Sequence, residues 1–152
     1  MNINYYRELL NSFRFNELEQ LLTEMPSFEM QDILYELAYD QVTEDVNMLV
    51  YTFCQTLLHR KESASLHLSL SNLMGMFLNH VHNAESVGLY HGLRAGELEP
   101  ENIDILEFLL YYNHIPEKLL ADDIAVAFAR KFISQRPDSL AAQITLSKER
   151  IN

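Results

Sequence analysis

Apolar residues recur along this chain at intervals of three and four, the spacing that gathers them on one face of an α-helix. Residues 3–12 and 16–25 predict two short helices meeting at Asn11-Ser12. Tyr6, Leu9, Leu10 and Phe13 lie on one side of the first, and Leu18, Leu21 and Leu22 on one side of the second. Pro26 closes that pair, and Ser27 is placed to cap a third helix whose apolar positions are Met30, Ile33, Leu34, Leu37 and Ala38. Thr43, followed by Glu44 and Asp45, predicts the next start; Val46, Leu49, Val50, Phe53, Leu57 and Leu58 form its stripe, and His59-Arg60-Lys61 ends it with cations where the helix dipole favours them.

From Ala64 to Ser71 apolar and polar residues alternate, which is also the pattern of a half-buried strand. Leu66, Leu70, Leu73, Met74, Phe77 and Val81 fit helical spacing over a longer window, and a lone strand among helices lacks a partner, so helix is predicted. Asn83 is placed to cap a helix bearing Val87, Leu89, Tyr90, Leu93 and Ala95. Its glycines Gly88, Gly92 and Gly96 form a row of small residues suited to close approach of another helix. Ile103 to Tyr112 is apolar on nearly every side, as expected of a helix sandwiched between neighbours, and it stops before Pro116. Asp122 or Asp123 starts a helix that buries Ala125, Phe128, Ala129 and Phe132 and leaves Arg130 and Lys131 outside. Asp138 or Ser139 caps a last one with Leu140, Ile144 and Ile151 inward.

Ala95 lies five residues before Pro100, and Phe132 lies five before Pro137, so two helices end alike 37 residues apart. Spacings of this size arise from stacked helical hairpins. The expected fold is all-α: a single domain over 1–152, with eight or nine helices as stacked antiparallel hairpins in a right-handed α-solenoid of the tetratricopeptide or HEAT kind.

Charge adds a surface to this architecture. Residues 1–45 carry 10 acids and 2 bases, 46–96 carry 2 and 3, 97–123 carry 8 and 1, and 124–152 carry 2 and 5. Two acidic blocks argue against nucleic acid, whose phosphates want Lys and Arg, and point to a basic protein partner. In the first block Glu29, Asp32, Glu36 and Asp40 follow one another at helical spacing with Tyr35 and Tyr39 beside them; like charges so placed repel unless a cation or a partner offsets them. The second block offers Glu97, Glu99, Glu101, Asp104, Glu107 and Tyr111 as further partner-binding candidates.

Chemistry is sparse by comparison. His59, His67, His80, His82, His91 and His114 show no metal-ligand spacing, and no Ser/His/Asp, Cys/His or glycine-rich phosphate arrangement is legible, so no metal, cofactor or enzymatic activity is expected. Cys54 reads as a small buried apolar residue in a reducing cytosol, with no leader sequence before it. Ser63 to Ala84 has no charged residue for 22 positions, but nearly half of it is polar, too much for a membrane span.

The stretch GLRAGELEPENIDILEFLLYYNHIPEKLLADDIAVAFARKFISQRPDS, about a third of the chain, resembles the C-terminal half of helical-repeat immunity proteins of bacterial polymorphic and contact-dependent growth inhibition toxin systems. The resemblance is carried by an acidic proline turn after Ala95, the apolar helix Ile103 to Tyr112, the Ile115 to Lys118 turn, and the alanine-rich helix Ala125 to Pro137. Tetratricopeptide repeats share the proline ending, but the small–aromatic–small pattern before it is replaced here by Gly88, Gly92 and Ala95, and by Ala125, Ala129 and Phe132. The resemblance implies a small cytoplasmic, non-enzymatic protein that binds and neutralises a cognate toxin domain, expected to be a basic nuclease. The alternative is a helical adaptor or regulatory protein that takes a peptide or helix and has no connection to toxins.

Overall fold

The computed structural model describes residues 3–149, and the regular elements among them are helical. They are α1 (Ile3–Asn11), α2 (Phe15–Thr23), α3 (Ser27–Ala38), α4 (Leu49–Arg60), α5 (Ala64–Asn72), α6 (Ala84–Leu98), α7 (Ile103–Leu109), α8 (Tyr111–His114), α9 (Asp122–Phe132) and α10 (Leu140–Glu149). The alternating stretch is α5: helical spacing buries Leu66 and Leu70, and Ser63 caps the start by accepting the N–H of Leu66. No helix among the described residues is long and apolar enough to cross a membrane.

Two apolar clusters hold the chain together. In the first, α1 packs on α2, α3 and α4, and Leu9, Leu10, Leu18, Leu34, Phe53 and Leu70 are buried together. In the second, α6, α7, α9 and α10 pack in succession around Leu106, Leu109, Tyr112, Ala129 and Phe132. Helix α5 serves both, sending Leu66 and Leu70 into the first cluster and Ala64 and Leu68 into the second.

Their junction is set by the absence of side chains. Helix α5 runs on into a π-helical turn, Leu73–Phe77, in which the N–H of Leu78 reaches the carbonyl of Leu73 at 2.8 Å. Gly75 of that turn meets Gly88 of α6 so closely that a Cβ on Gly88 would stand 2.8 Å from the Gly75 nitrogen. The Tyr112 hydroxyl fills what space remains, donating to the Ser71 carbonyl at 3.0 Å and lying 2.9 Å from the Ser71 hydroxyl, while Ser71 Oγ donates to the Gly88 carbonyl at 2.6 Å. The glycine row is therefore a packing face. Ile105, Leu106, Leu109, Leu110 and Tyr112 are all buried, as expected of a sandwiched segment, but the single helix expected over Ile103–Tyr112 is broken at Leu110 into α7 and α8.

Several local expectations are corrected. Thr43 starts no helix: residues 40–46 form a turn closed by the Tyr39–Val46 bridge, Glu44 adopts φ 58°, and α4 begins at Leu49, where Asn47 Oδ1 accepts its N–H at 3.0 Å. Asp40 organises that turn instead, because its carboxylate lies 2.9 and 3.2 Å from the backbone nitrogens of Val42 and Thr43, which donate to it. Ser27 and Asn83 make no side-chain cap; the Pro26 carbonyl accepts the first helical N–H of α3, and Asn83 itself sits at φ 62°. Phe13 is exposed rather than inward, since α1 ends in a left-handed residue at Phe13 (φ 55°), with its N–H on Leu10 and that of Arg14 on Leu9. Leu140 and Ile144 face outward, because α10 buries Ala142, in one apolar cluster with Ala125 and Ala129 of α9, and Thr145, 2.9 Å from the His114 ring, and Ser139 caps it; Ile151 lies outside the described residues.

Candidate functional site: an acidic aromatic groove

Helix α3 buries Ile33, Leu34, Leu37 and Ala38, and this turns Asp32 and Glu36 to the opposite, solvent side. Between them Tyr35 leans over the π turn and stacks on Phe77 with ring centroids 4.2 Å apart and planes 25° apart. Gln31 donates to the Tyr35 hydroxyl, whose pKa is pushed up to about 12, chiefly by burial and further by the neighbouring Asp32 carboxylate. The phenol stays neutral at any physiological pH.

These rings wall a groove of about 540 Å³ between α1, α3 and the 40–46 turn. Asp32, Glu36 and Asp40 border it, Tyr39 and Val42 extend its apolar side, and Ile3 and Arg7 close it from α1. Val42 is 92% exposed and Phe77 45%, so both remain open to contact. Arg7 is the groove's cation: its Nη2 stands 3.4 Å from Asp40 and reaches the Glu36 carbonyl at 3.5 Å. The Asp40 carboxyl is held below its usual range, first by the backbone N–H groups of Val42 and Thr43 and then by Arg7. Three carboxylates against one guanidinium leave the groove negative. Among the described residues no cation pairs with Glu29, Asp32 or Glu36, and the repulsion between Asp32 and Glu36 along the helix goes unrelieved.

Five of the sequence candidates, Asp32, Tyr35, Glu36, Tyr39 and Asp40, thus come together, although Asp40 stands past the end of α3 and not on a helical stripe with the rest. Glu29 lies a turn earlier, outside the groove. The second acidic block is used internally. Glu97 pairs with Arg94 at 2.8 Å, Glu101 with Lys131 at 2.6 Å, and Asp104 with Arg136 at 2.7 Å; Arg136 also holds Glu107. Glu99 accepts from Asn102 at 2.7 Å, and Tyr111 donates to the Gly75 carbonyl at 2.9 Å. Lys131 of α9 and Arg136 of the turn after it tie the block to the rest of the chain, so four of its five carboxylates have a cation beside them.

Phe77, Arg7 and Val42 belong to the groove without having been legible as members. Phe77 fits a core stripe by spacing, and only the π turn swings it outward beside Tyr35. Of the histidines, His67 and His91 are buried against each other, and among the described residues no three of His, Cys, Asp and Glu gather as metal ligands. No family model, curated protein or solved structure matches the chain.

Proposed function

We propose that this protein acts by binding another protein, and that a basic face of the partner docks on the α3 groove. The observation that carries the reading is the pair of uncompensated carboxylates, Asp32 and Glu36, flanking the half-buried Tyr35 and the exposed Phe77 stacked on it. Aromatic rings offer rigid contact area, and carboxylates steer and pair with Lys or Arg. In the terms of the resemblance described above, the partner is a cognate toxin domain, a basic nuclease, neutralised in the cytoplasm by an immunity protein without enzymatic activity. A right-handed solenoid of stacked antiparallel helical hairpins over the whole chain belongs to the same proposal.

The decisive experiment is titration of the Asp32→Lys/Glu36→Lys variant against that toxin domain, with a cell-protection assay beside it. Association slows at least tenfold at low salt and the difference shrinks as salt rises; folding changes little, because one exposed like-charge pair at i,i+4 is exchanged for another while Glu29 gains a neighbour of opposite charge one turn on. Unaltered association would remove the groove from the interface. A second reading, an adaptor that takes a peptide, is favoured by the groove's volume, which suits a few side chains of an extended segment. A gene for a secreted multidomain toxin beside this one selects the first reading over the second.

A further inference from the structure

Helix α10 closes the second apolar cluster with one face and leaves the other uncovered. Its inner side buries Ala142 and Thr145, while Leu140 is 72% exposed and Ile144 48%. Lys148, also exposed, follows four residues on, so an aliphatic pair and a cation stand in one stripe about 12 Å long. Two large aliphatic side chains on adjacent turns of a water-facing helix mark a contact surface.

Charge decides which surface fits it. Residues 124–152 carry 2 acids and 5 bases. Lys131 and Arg136 are held by Glu101, Asp104 and Glu107, whereas among the described residues no carboxylate pairs with Lys148. The α3 groove has the reverse need: among the described residues Asp32 and Glu36 have no cation, and Val42 and Phe77 lie open beside them. The match cannot be made within one chain, because α10 packs on α9, and the groove is lined from α1, α3, the 40–46 turn and Phe77.

We propose that the α10 stripe of one copy of this protein docks in the α3 groove of a second copy, with Leu140 and Ile144 against Val42 and the Tyr35–Phe77 rings and Lys148 against Asp32 and Glu36. The two patches differ, so the contact is head-to-tail, and each end of a pair still offers a free groove or a free stripe to a third copy. One helix face covers less than the roughly 1,200 Å² that stable complexes bury, so the assembly is transient, populated at about 0.1–1 mM chain and favoured by low salt. It uses the groove proposed above for a basic partner but does not rest on that partner's identity. Self-docking covers the groove until a tighter basic ligand displaces it.

Sedimentation of the full chain at low salt tests the contact. The weight-average mass should rise from that of one chain in dilute solution to about one and a half chains or more at about 1 mM, and the rise should shrink as salt is added. Asp32→Lys/Glu36→Lys spoils the groove and Ile144→Asp/Lys148→Glu spoils the stripe, all at exposed positions, so each variant alone should keep the mass of one chain. Mixed in equal amounts the two should associate again, because the first retains a sound stripe and the second a sound groove, and growth should stop at two chains because both remaining surfaces are spoiled. The stripe variant also separates this contact from the proposed partner: with its groove uncovered, it should bind a basic toxin domain at least as well as the unmodified protein does. A chain that stays monomeric to about 1 mM, a stripe variant that associates like the unmodified protein, or a mixture that remains monomeric would each overturn the head-to-tail contact.

Discussion

Replacing Gly88 by alanine and, separately, Gly96 by alanine applies one chemical change twice to α6, with opposite expected results. No glycine among the described residues has positive φ, so neither site needs glycine's backbone freedom, and alanine favours the helix by about 1 kcal/mol at each. Space decides the rest. At Gly96 the added Cβ would lie 3.4 Å from Leu109 Cδ1 and 3.8 Å from Ile105 Cγ2, ordinary contacts, so the helix preference survives. At Gly88 it would lie 2.8 Å from the nitrogen and 3.0 Å from the Cα of Gly75, backbone atoms that no rotamer can move, and it would also collide with the Tyr112 hydroxyl. Helix α6 must then back away from the π turn. Overpacking costs about 1–3 kcal/mol, and loss of the buried Ser71–Gly88 and Ser71–Tyr112 hydrogen bonds adds about 1 kcal/mol each. Against the helix gain, the net loss is about 2–4 kcal/mol, or about 5–15 °C in Tm for a chain of this size, whereas Gly96→Ala gains up to about 1 kcal/mol and about 2–4 °C. Tyr112→Phe does not rescue Gly88→Ala, since the Gly75 backbone still blocks the Cβ. Thermal and urea melts of the four proteins measure all of this; equal shifts for the two alanines, or full rescue by Tyr112→Phe, would refute the close crossing of α6 on the π turn.

Phe53→Ala and Leu106→Ala should each destabilise by about 2–5 kcal/mol through lost burial and the cavity left behind, with wild-type urea midpoints as the contrary result. Stability should fall as pH drops from about 6.5 towards about 4, because unfolded His91 takes up a proton that the folded ring refuses; the effect is on the order of 3 kcal/mol and is read from urea midpoints across that range. Glu62 adds a second loss as pH falls from 4.5 to about 2, since its depressed pKa stabilises the fold only while the carboxyl is ionised, and Arg94→Met should remove that second step.

Helix identity was legible in the sequence because burial follows local periodicity: Leu9, Leu34, Phe53, Leu106 and Phe132 stand where three- and four-residue spacing puts them, and all are buried. The glycine row was equally legible, since a small residue on every fourth position has few uses besides close packing. Turns were less so. Thr43 has the chemistry of a cap and accepts the Asp45 N–H at 3.4 Å, but the Asp40 carboxylate, holding the Val42 and Thr43 N–H groups, folds the segment into a turn, and α4 begins only at Leu49. The fate of the charges was decided by tertiary structure alone. Two acidic blocks look alike in sequence, yet one meets Lys131 of α9 and Arg136 of the turn after it, besides Arg94 within α6 itself, while Asp32 and Glu36 meet no cation among the described residues and border the Tyr35–Phe77 rings. A carboxylate's partner is set by which element folds against it, often thirty or more residues away, and the local hydrophobic pattern that specifies a helix carries no record of that neighbour.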